Sequence, residues 1–378
     1  MRGILTLAYK LLVNDKAKFT ALLVGIAFAS FSMIFISAMF VGVLRHSSST
    51  VINIGASMWV MDPAVQTPAN SIGIPEYVLD AVRSTQGVAY AVPLYTGTAL
   101  VKLPDGTYQA ATVVGLDDTS LFGRPEVVNG KITDIYAENG FFVVQDADYP
   151  KLGSPHVGSE FQLNDHRCVI VGIAKVAMSS LFGLPTLYTT YERAIQYIPN
   201  PRFTVSYVLV EPKSQADIPK IKQQVAALGY LALTKDEFMQ RSIMFYIYQT
   251  GMGTNLLIMT VITFFVGLSI SGQTFYTFIL ENLERFGALK ALGTKDRELV
   301  LMILFQATFT ALTGYGLGVG LCTLFIYVAK LRLPSYFATI TYSNLLLALG
   351  MVLIIDAVSS YAGIRRVLRI EPFEIFRG

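Results

Sequence analysis

The side-chain types that most often carry metal or nucleophilic chemistry are few and scattered in this sequence. The three histidines are His46, His156 and His166, and the two cysteines are Cys168 and Cys322. No Gly-x-x-x-x-Gly-Lys-Ser/Thr phosphate-binding loop, His-Glu-x-x-His zinc motif or Gly-x-Ser-x-Gly nucleophile motif occurs. The chain is therefore expected to be neither an enzyme nor a metalloprotein, and no cofactor is expected in it.

A short charged segment lies between two long apolar runs. It is Glu281–Arg297, ENLERFGALKALGTKDR. Glu281 and Arg285 are four residues apart with the acid first, the favoured order in a helix, and Gly293 is typical of a helix end. Three apolar residues recur at helical spacing: Leu283, Phe286 and Leu289. This apolar face suits docking into a groove on another protein; the alternative is a linker on the membrane surface.

Composition identifies an integral membrane protein. Hydrophobic residues make up 53% of the 378 and charged residues only 15%, whereas soluble domains carry about 25% charged residues. Four apolar stretches reach the roughly 20 residues that a helix needs to cross a bilayer. They are Phe19–Leu44, a span within Ser242–Leu280, Leu299–Ala329 and Ser343–Gly363. The first is too long for a cleavable signal peptide.

The distribution of Lys and Arg predicts the orientation, because cytoplasmic loops carry an excess of both. The loop between the last two spans has only Lys330 and Arg332. The other flanks are richer: Arg2, Lys10, Lys16 and Lys18; Arg285, Lys290, Lys295 and Arg297; Arg365, Arg366, Arg369 and Arg377. Both termini and the charged segment are therefore predicted to be cytoplasmic. The net charge of +3 reflects these flanks, so nucleic acid is not an expected partner. The two cysteines then lie in different compartments and cannot pair.

The polar insert between the first two spans reads as an extracytoplasmic, periplasmic α+β domain. Its apolar runs, bounded by turn residues, predict strands at 58–62, 88–95, 108–116, 141–145, 168–176 and 205–211. Helices are predicted at 75–84, 190–197 and 216–228.

A long helix is predicted to follow the insert. Thr234 and Glu237 have the spacing of a capping box, and no proline occurs from there to Leu283. A continuous helix of about 49 residues would be roughly 73 Å long, against a bilayer core of about 30 Å. Several turns would then form a stalk. Gly251 and Gly253 are its weak points.

Two features inside the apolar runs have structural and mechanistic interpretations. Asp356 is a carboxylate within the last span, and such groups are costly and candidates for function. It could make a polar contact with a neighbouring helix or act as a mechanistic switch. Four glycines in the third span favour close helix packing or dimerisation, with a gating hinge as the alternative: Gly314, Gly316, Gly318 and Gly320.

Two motifs carry a family resemblance. The stretch Glu284–Gly293, ERFGALKALG, resembles the Arg-Glu-x-Gly-x-Leu-x-Ala-Leu-Gly segment of the FtsX/MacB-type ABC permeases, with Phe286 where that family often has Glu. The carboxyl-terminal RIEPFEIFR resembles the family's terminal Pro-x-Glu-Ala-Leu-Arg signature, with Ile375 and Phe376 replacing Ala-Leu. The layout of one span, a large outer domain and three spans also matches. The chain looks more like stand-alone permeases of the DevC or LolC/LolE type than like MacB itself.

The resemblance implies a division into eight parts. These are a cytoplasmic amphipathic helix at 1–18, transmembrane helices at 19–45, 242–282, 298–330 and 343–363, an extracytoplasmic domain with stalk at 46–241, a cytoplasmic coupling helix at 283–297 and a cytoplasmic tail at 364–378. The coupling residues would be Glu284, Arg285, Phe286, Gly287, Leu289, Lys290, Leu292 and Gly293. The terminal motif would be Pro372, Glu374 and Arg377.

The resemblance also implies partners and a mechanism. A separate cytoplasmic ABC ATPase would bind the ATP, and the permease would form a homodimer in the inner membrane. A periplasmic membrane-fusion adaptor and an outer-membrane channel would complete a tripartite export system, in which ATP hydrolysis moves the outer domain. Two alternatives stay open: an FtsX-like regulator that activates a periplasmic partner such as a cell-wall hydrolase, and a receptor or scaffold without an ATPase.

Overall fold

The computed structural model describes residues 2–181, 183–198, 204–333 and 336–369. The helices are α1 Arg2–Asn14, α2 Lys16–His46, α3 Ser49–Ile54, α4 Glu76–Arg83, α5 Tyr191–Tyr197, α6 Ile218–Ala227, α7 Lys235–Tyr248, α8 Met252–Glu281, α9 Leu283–Ala291, α10 Asp296–Arg332 and α11 Tyr342–Leu368. The strands are β1 Met58–Met61, β2 Ile74–Pro75, β3 Val88–Lys102, β4 Tyr108–Leu116, β5 Glu126–Asn129, β6 Gly140–Val144, β7 Glu160–Leu163, β8 His166–Lys175, β9 Thr186–Thr190, β10 Thr204–Val205, β11 Tyr207–Pro212 and β12 Leu231–Thr234.

The chain forms two compact units. The helical unit contains α1, α2 as far as Gly42, and α8 to α11. The α/β domain contains the end of α2, α3 to α7 and all the strands named above. Among the described residues, four helices are long and apolar enough to cross a membrane: α2, α8, α10 and α11. The expected architecture of four spans with an α+β domain between the first and second is confirmed.

The helical unit is held together by close crossings of these apolar helices. A Cβ added at Gly314 in α10 would lie 2.8 Å from the Ile26 side chain of α2, and one added at Gly318 would lie 2.5 Å from the Ser30 side chain. Both glycines therefore let α10 pack tightly on α2, as the sequence predicts. Gly316 and Gly320 are different, because nothing lies within 4 Å of either position.

The long helix predicted after Thr234 is not continuous. α7 ends at Tyr248 and α8 begins at Met252, ten residues later than the predicted start of the second span at 242. The amides of Gln249 and Thr250 both point to the Phe245 carbonyl, and Gly251 has a φ of 73°. This left-handed conformation ends the helix, and glycine adopts it without steric penalty. The expectation of an unbroken helix is thus wrong at one of its two weak points.

The α/β domain is built on one mixed sheet. The strand order is β12-β1-β11-β3-β4-β9-β6-β8-β5, and β7 pairs with β3 and β8. The pairs β4–β9 and β6–β8 are parallel, and the others along the order are antiparallel. All six predicted strands and all three predicted helices have counterparts. The short strands β2, β5, β7, β9, β10 and β12 were not predicted.

Apolar side chains cover both faces of this sheet. Trp59 in β1 is fully buried and packs edge-on against Tyr207 of β11, with ring centroids 5.3 Å apart. Phe238 of α7 completes this aromatic cluster at 5.7 Å from Trp59. The start of α7 is fixed by a complete capping box, since Glu237 and Thr234 each bond the other's backbone amide. The amino-terminal part of α7 is therefore an integral part of the domain core.

Candidate functional site

The candidate site is the 281–297 segment, which contains α9 and the start of α10. Asn282 joins α8 to α9, and its side chain is buried. The amide nitrogen donates to the Phe278 carbonyl at 2.8 Å, and the amide oxygen accepts from Arg285 at 2.8 Å. Both hydrogen-bonding ends of this amide are therefore satisfied, which fixes the α8–α9 junction.

The far end of α9 is a Schellman motif. The amide of Thr294 donates to the Leu289 carbonyl and that of Gly293 donates to the Lys290 carbonyl, both at 3.1 Å. Gly293 has a φ of 93°, the left-handed conformation that this motif requires. The predicted sharp break is confirmed at Gly293. The helix predicted at 283–297 ends at Ala291, six residues before its predicted end, and α10 begins at Asp296.

The apolar face of α9 points into the helical unit. Phe286 is fully buried and Gly287 is buried, while Leu283 and Leu289 are partly buried. They belong to a hydrophobic cluster with residues of α1, α2, α8, α10 and α11. Helices of the same chain therefore cover the apolar face that the sequence predicted to dock on another protein. Periodicity identified the face correctly but could not say what packs on it.

The opposite face of α9 is exposed. Leu292 is 85% exposed, and the helix also exposes two charged and two small residues: Glu284, Arg285, Ala288 and Ala291. An apolar side chain of this size beside two alanines and two charged residues makes a small protruding surface. We call these five residues the outward face of α9.

Charged side chains attach both ends of the segment to neighbouring helices. Lys18 of α2 forms ion pairs with Glu281 and, at 2.8 Å, with Asp15. Hydrogen bonds from Lys18 hold the pKa of the Asp15 carboxyl below its ordinary value, with a smaller contribution from Arg285. At the other end, the Lys290 ammonium donates to the Leu368 carbonyl of α11 at 3.1 Å and pairs with Asp296 of α10 at 3.2 Å. The 281–297 segment is therefore connected to α2 through Glu281, the last residue of α8, and to α10 and α11 through Lys290 of α9.

The amino-terminal helix α1 packs on the same bundle. The Gln306 amide of α10 donates to the Ala8 carbonyl at 2.9 Å, and both residues are fully buried. Tyr9 contacts Phe309 edge-on with ring centroids 5.4 Å apart. Sequence periodicity found the helix but gave no signal for this docking onto α10.

The other candidate residues lie elsewhere. Asp356 is half-buried in α11, and its carboxylate has no hydrogen bond or ion pair among the described residues. His46 and Cys168 belong to the α/β domain, whereas Cys322 is buried in α10. The terminal motif of Pro372, Glu374 and Arg377 lies outside the described residues.

Comparison with known proteins supplies the family. The model of the FtsX-like permease C-terminal domain matches residues 257–372, and that of the MacB-like periplasmic core domain matches residues 20–228, more than half of the chain. The chain belongs to the FtsX/MacB-type ABC transporter permeases. This confirms the resemblance seen in the two motifs. Membership implies a partner ATPase and a place in the inner membrane.

Individual relatives of this permease are distant. An uncharacterized ABC transporter permease of Mycobacterium tuberculosis is 24% identical over 337 residues, 88% of this chain and 87% of the relative. One of Mycobacterium bovis is 22% identical over 342 residues, 88% of each chain. The periplasmic region of MacB from Actinobacillus actinomycetemcomitans is 10% identical with a TM-score of 0.39, covering 49% of this chain and 91% of that one.

Proposed function

We propose that this permease couples ATP hydrolysis by a separate cytoplasmic ATPase to movement of its α/β domain, and that this movement drives export or extraction of a substrate. The observation that carries the proposal is the construction of the 281–297 segment. α9 is a short helix with its apolar side buried and its outward face free, and the segment is attached to three other helices. Force applied to the outward face would therefore reach α2, α10 and α11 together.

The proposed contact surface for the ATPase is the outward face of α9. Leu292 is the apolar anchor, Ala288 and Ala291 allow close approach, and Glu284 and Arg285 supply charge. The proposed contact therefore does not include Phe286 and Gly287. These two buried residues hold α9 on the helical unit instead. The excess of Lys and Arg at the helix ends supports a cytoplasmic position for this segment and for both termini.

The proposed assembly is a homodimer in the bilayer. α8 is the least covered span, with 11% of its apolar stretch buried within the chain, against 44% for α2. Its exposed side carries three polar residues at helical spacing, Ser269, Gln273 and Thr277. Polar side chains are unfavourable against lipid and hydrogen-bond across helix interfaces, so a second α8 is a suitable neighbour. An adaptor and an outer-membrane channel would complete the export system.

The contact with the ATPase is tested with surface variants. The permease is co-expressed with a candidate ATPase from a neighbouring gene, and co-purification and stimulated ATP hydrolysis are measured in liposomes. Ala288→Asp and Leu292→Asp should abolish both, because a buried unpaired carboxylate opposes docking. Leu228→Asp is the matched control, since Leu228 is a 41% exposed leucine of the α/β domain. Wild-type binding and stimulation by the two α9 variants would refute the proposed contact.

A further inference from the structure

The α/β domain contains a cavity, and half of the residues that line it carry a hydroxyl group. It has a volume of about 180 Å³ and lies among the end of α2, α3, β3, β4, α7 and the loop after β8. Pockets for drug-sized ligands measure roughly 300 to 1,000 Å³, so the space fits a ligand of one small ring. We call it the hydroxyl cleft.

The lining of the hydroxyl cleft mixes polar and apolar groups and lacks carboxylate, ammonium and guanidinium groups among its described residues. No Asp, Glu, Lys or Arg is among its described lining residues. Hydroxyl groups dominate instead, and they include those of Ser49, Thr98, Thr112 and Tyr246, with the amide of Asn70 beside them. Each hydroxyl both donates and accepts a hydrogen bond. The lining therefore complements a neutral ligand with several hydroxyl groups and offers no counter-ion to an anion or a cation.

Two of these hydroxyls are nearly buried and lack a partner in the described part of the chain. Tyr246 is 4% exposed and Ser49 is 8% exposed, and neither side-chain oxygen has a hydrogen bond to another described residue. Burial also raises the pKa of Tyr246, so the phenol stays protonated and can donate. Buried tyrosine hydroxyls usually find a partner, and here the cleft is the space from which water or a ligand can supply one.

The start of the loop after β8 is held by hydrogen bonds to α2 and α3. Asn53 of α3 bonds both backbone groups of Met178, donating at 2.7 Å and accepting at 3.0 Å. The Nδ1 atom of His46 lies 2.9 Å from the Ser179 carbonyl, and since a carbonyl only accepts, Nδ1 carries the proton. In the neutral ring Nε2 is then an acceptor. This part of the wall is thus held in place by the chain itself, which lowers the entropic cost of binding.

We propose that the hydroxyl cleft binds a single neutral polyhydroxylated ring of the monosaccharide class, either free or as the head group of a glycolipid. Size limits the ligand to one ring, and the uncharged hydroxyl lining selects a polyol over phosphorylated or ionised molecules. The proposal does not depend on the coupling role of α9, because every group it uses lies in the α/β domain.

The test is binding to the full chain in a sugar-free amphipol, measured by saturation-transfer NMR and calorimetry. Methyl glucoside and inositol are the free probes, glucosyl diacylglycerol in nanodiscs is the lipid probe, and glucose 6-phosphate is the anionic probe. We expect a dissociation constant of about 1 mM for a neutral ring and at least tenfold weaker binding of the phosphate. Tyr246→Phe and Thr112→Val should each weaken binding about 3- to 10-fold. The control is Tyr108→Phe, since Tyr108 is 61% exposed on β4.

Folding of each variant is checked by the fluorescence of Trp59, the one tryptophan of the chain. Wild-type protein gives a second readout: the ligand should slow amide exchange in 46–50 and 112–114. Binding of the free probes identifies a soluble ligand, and binding of the lipid probe alone identifies a head group. The proposal is overturned by absence of saturable binding to every neutral probe, by equal binding of the phosphate, by unchanged binding to folded variants, or by absence of protection.

Discussion

The helical run after Thr234 is interrupted twice, and the two interruptions are built differently. Between α7 and α8, Gly251 takes a left-handed conformation, and nothing lies within 4 Å of the position that its Cβ would occupy. Between α8 and α9, the buried Asn282 amide bonds both Phe278 and Arg285. At the first junction an exposed hydroxyl, that of Thr250, donates to the Tyr246 carbonyl and accepts from the Met252 amide, whereas a buried amide fixes the second.

This difference assigns distinct mechanical properties to the two junctions. A junction held by one glycine and an exposed hydroxyl changes conformation at a lower cost, because water can replace the hydrogen bonds of Thr250. A junction held by a satisfied buried amide resists bending, because bending would leave polar atoms unpaired. We infer that α8 and α9 move as one body.

The largest expected effect comes from the side of α9 that holds it on the bundle. Phe286→Ala removes a fully buried ring, and truncation of a buried Phe costs about 3–5 kcal/mol. The free energy of unfolding in mixed micelles measures this loss. Leu292→Ala, on the outward face, should change it by less than about 0.5 kcal/mol. Equal losses in both variants would contradict the assignment of the two faces.

The fixed junction is tested next by removing its amide. Asn282→Ala breaks two hydrogen bonds and should cost about 1–3 kcal/mol, with faster amide exchange in α9. Gln249→Ala is the matched control at the other junction, where the side chain is exposed. It should leave both readouts within error, and a comparable loss there would mean that both junctions are held by side chains.

At the glycine junction, a substitution that strains the backbone of Gly251 should lower the stability of the protein. Gly251→Ala places a Cβ on a residue with positive φ, which costs about 1 kcal/mol. Gly316→Ala is the control, since Gly316 lies within α10 with nothing within 4 Å, and there alanine should stabilise by about 0.5–1 kcal/mol. If both variants change the stability in the same direction, strain at Gly251 is excluded as the cause of the change.

The smallest effect concerns the start of α7, which is fixed by the capping box of Thr234 and Glu237. Burial raises the pKa of the Glu237 carboxyl. Hydrogen bonds from Lys222 and Thr234 outweigh burial and hold this pKa below its ordinary value. Its stabilising contribution is therefore present above the ordinary pKa and is lost as the pH falls through the lowered one. Because the carboxyl is 44% exposed, screening limits the effect to about 0.5 kcal/mol.

Trp59 fluorescence measures this pH dependence. Wild-type protein should lose slightly more stability than Glu237→Gln between pH 5 and pH 3. If both proteins lose the same stability between pH 5 and pH 3, ionisation of Glu237 does not stabilise the start of α7.

Local sequence signals predicted the elements best. β4 has the predicted bounds of 108–116, the capping box at Thr234 is complete, and Gly293 ends its helix as expected. Each depends on residues a few positions apart, so the sequence contains the whole cause. The four spans were equally readable, because hydrophobic length alone decides them.

Packing between helices that are distant in the chain could not be predicted from the sequence. The apolar face of α9 is visible in the sequence, but its burial against α10 and α11 depends on how distant helices meet. Docking of α1 through Gln306 and Ala8 depends on residues almost 300 positions apart. Gly251 was recognised as a weak point, yet sequence gives no sign that Gly251 takes a positive φ and that the helical Gly253 does not.

The most direct test of the central claim is a cross-link from the outward face of α9 to the ATPase. Leu292→Cys in a variant lacking Cys168 and Cys322 is labelled with a short photo-cross-linker and mixed with the ATPase, and Leu228→Cys is labelled as the control. The account predicts an ATPase adduct from position 292 and none from position 228. Absence of the 292 adduct from a permease that still stimulates ATP hydrolysis would contradict it.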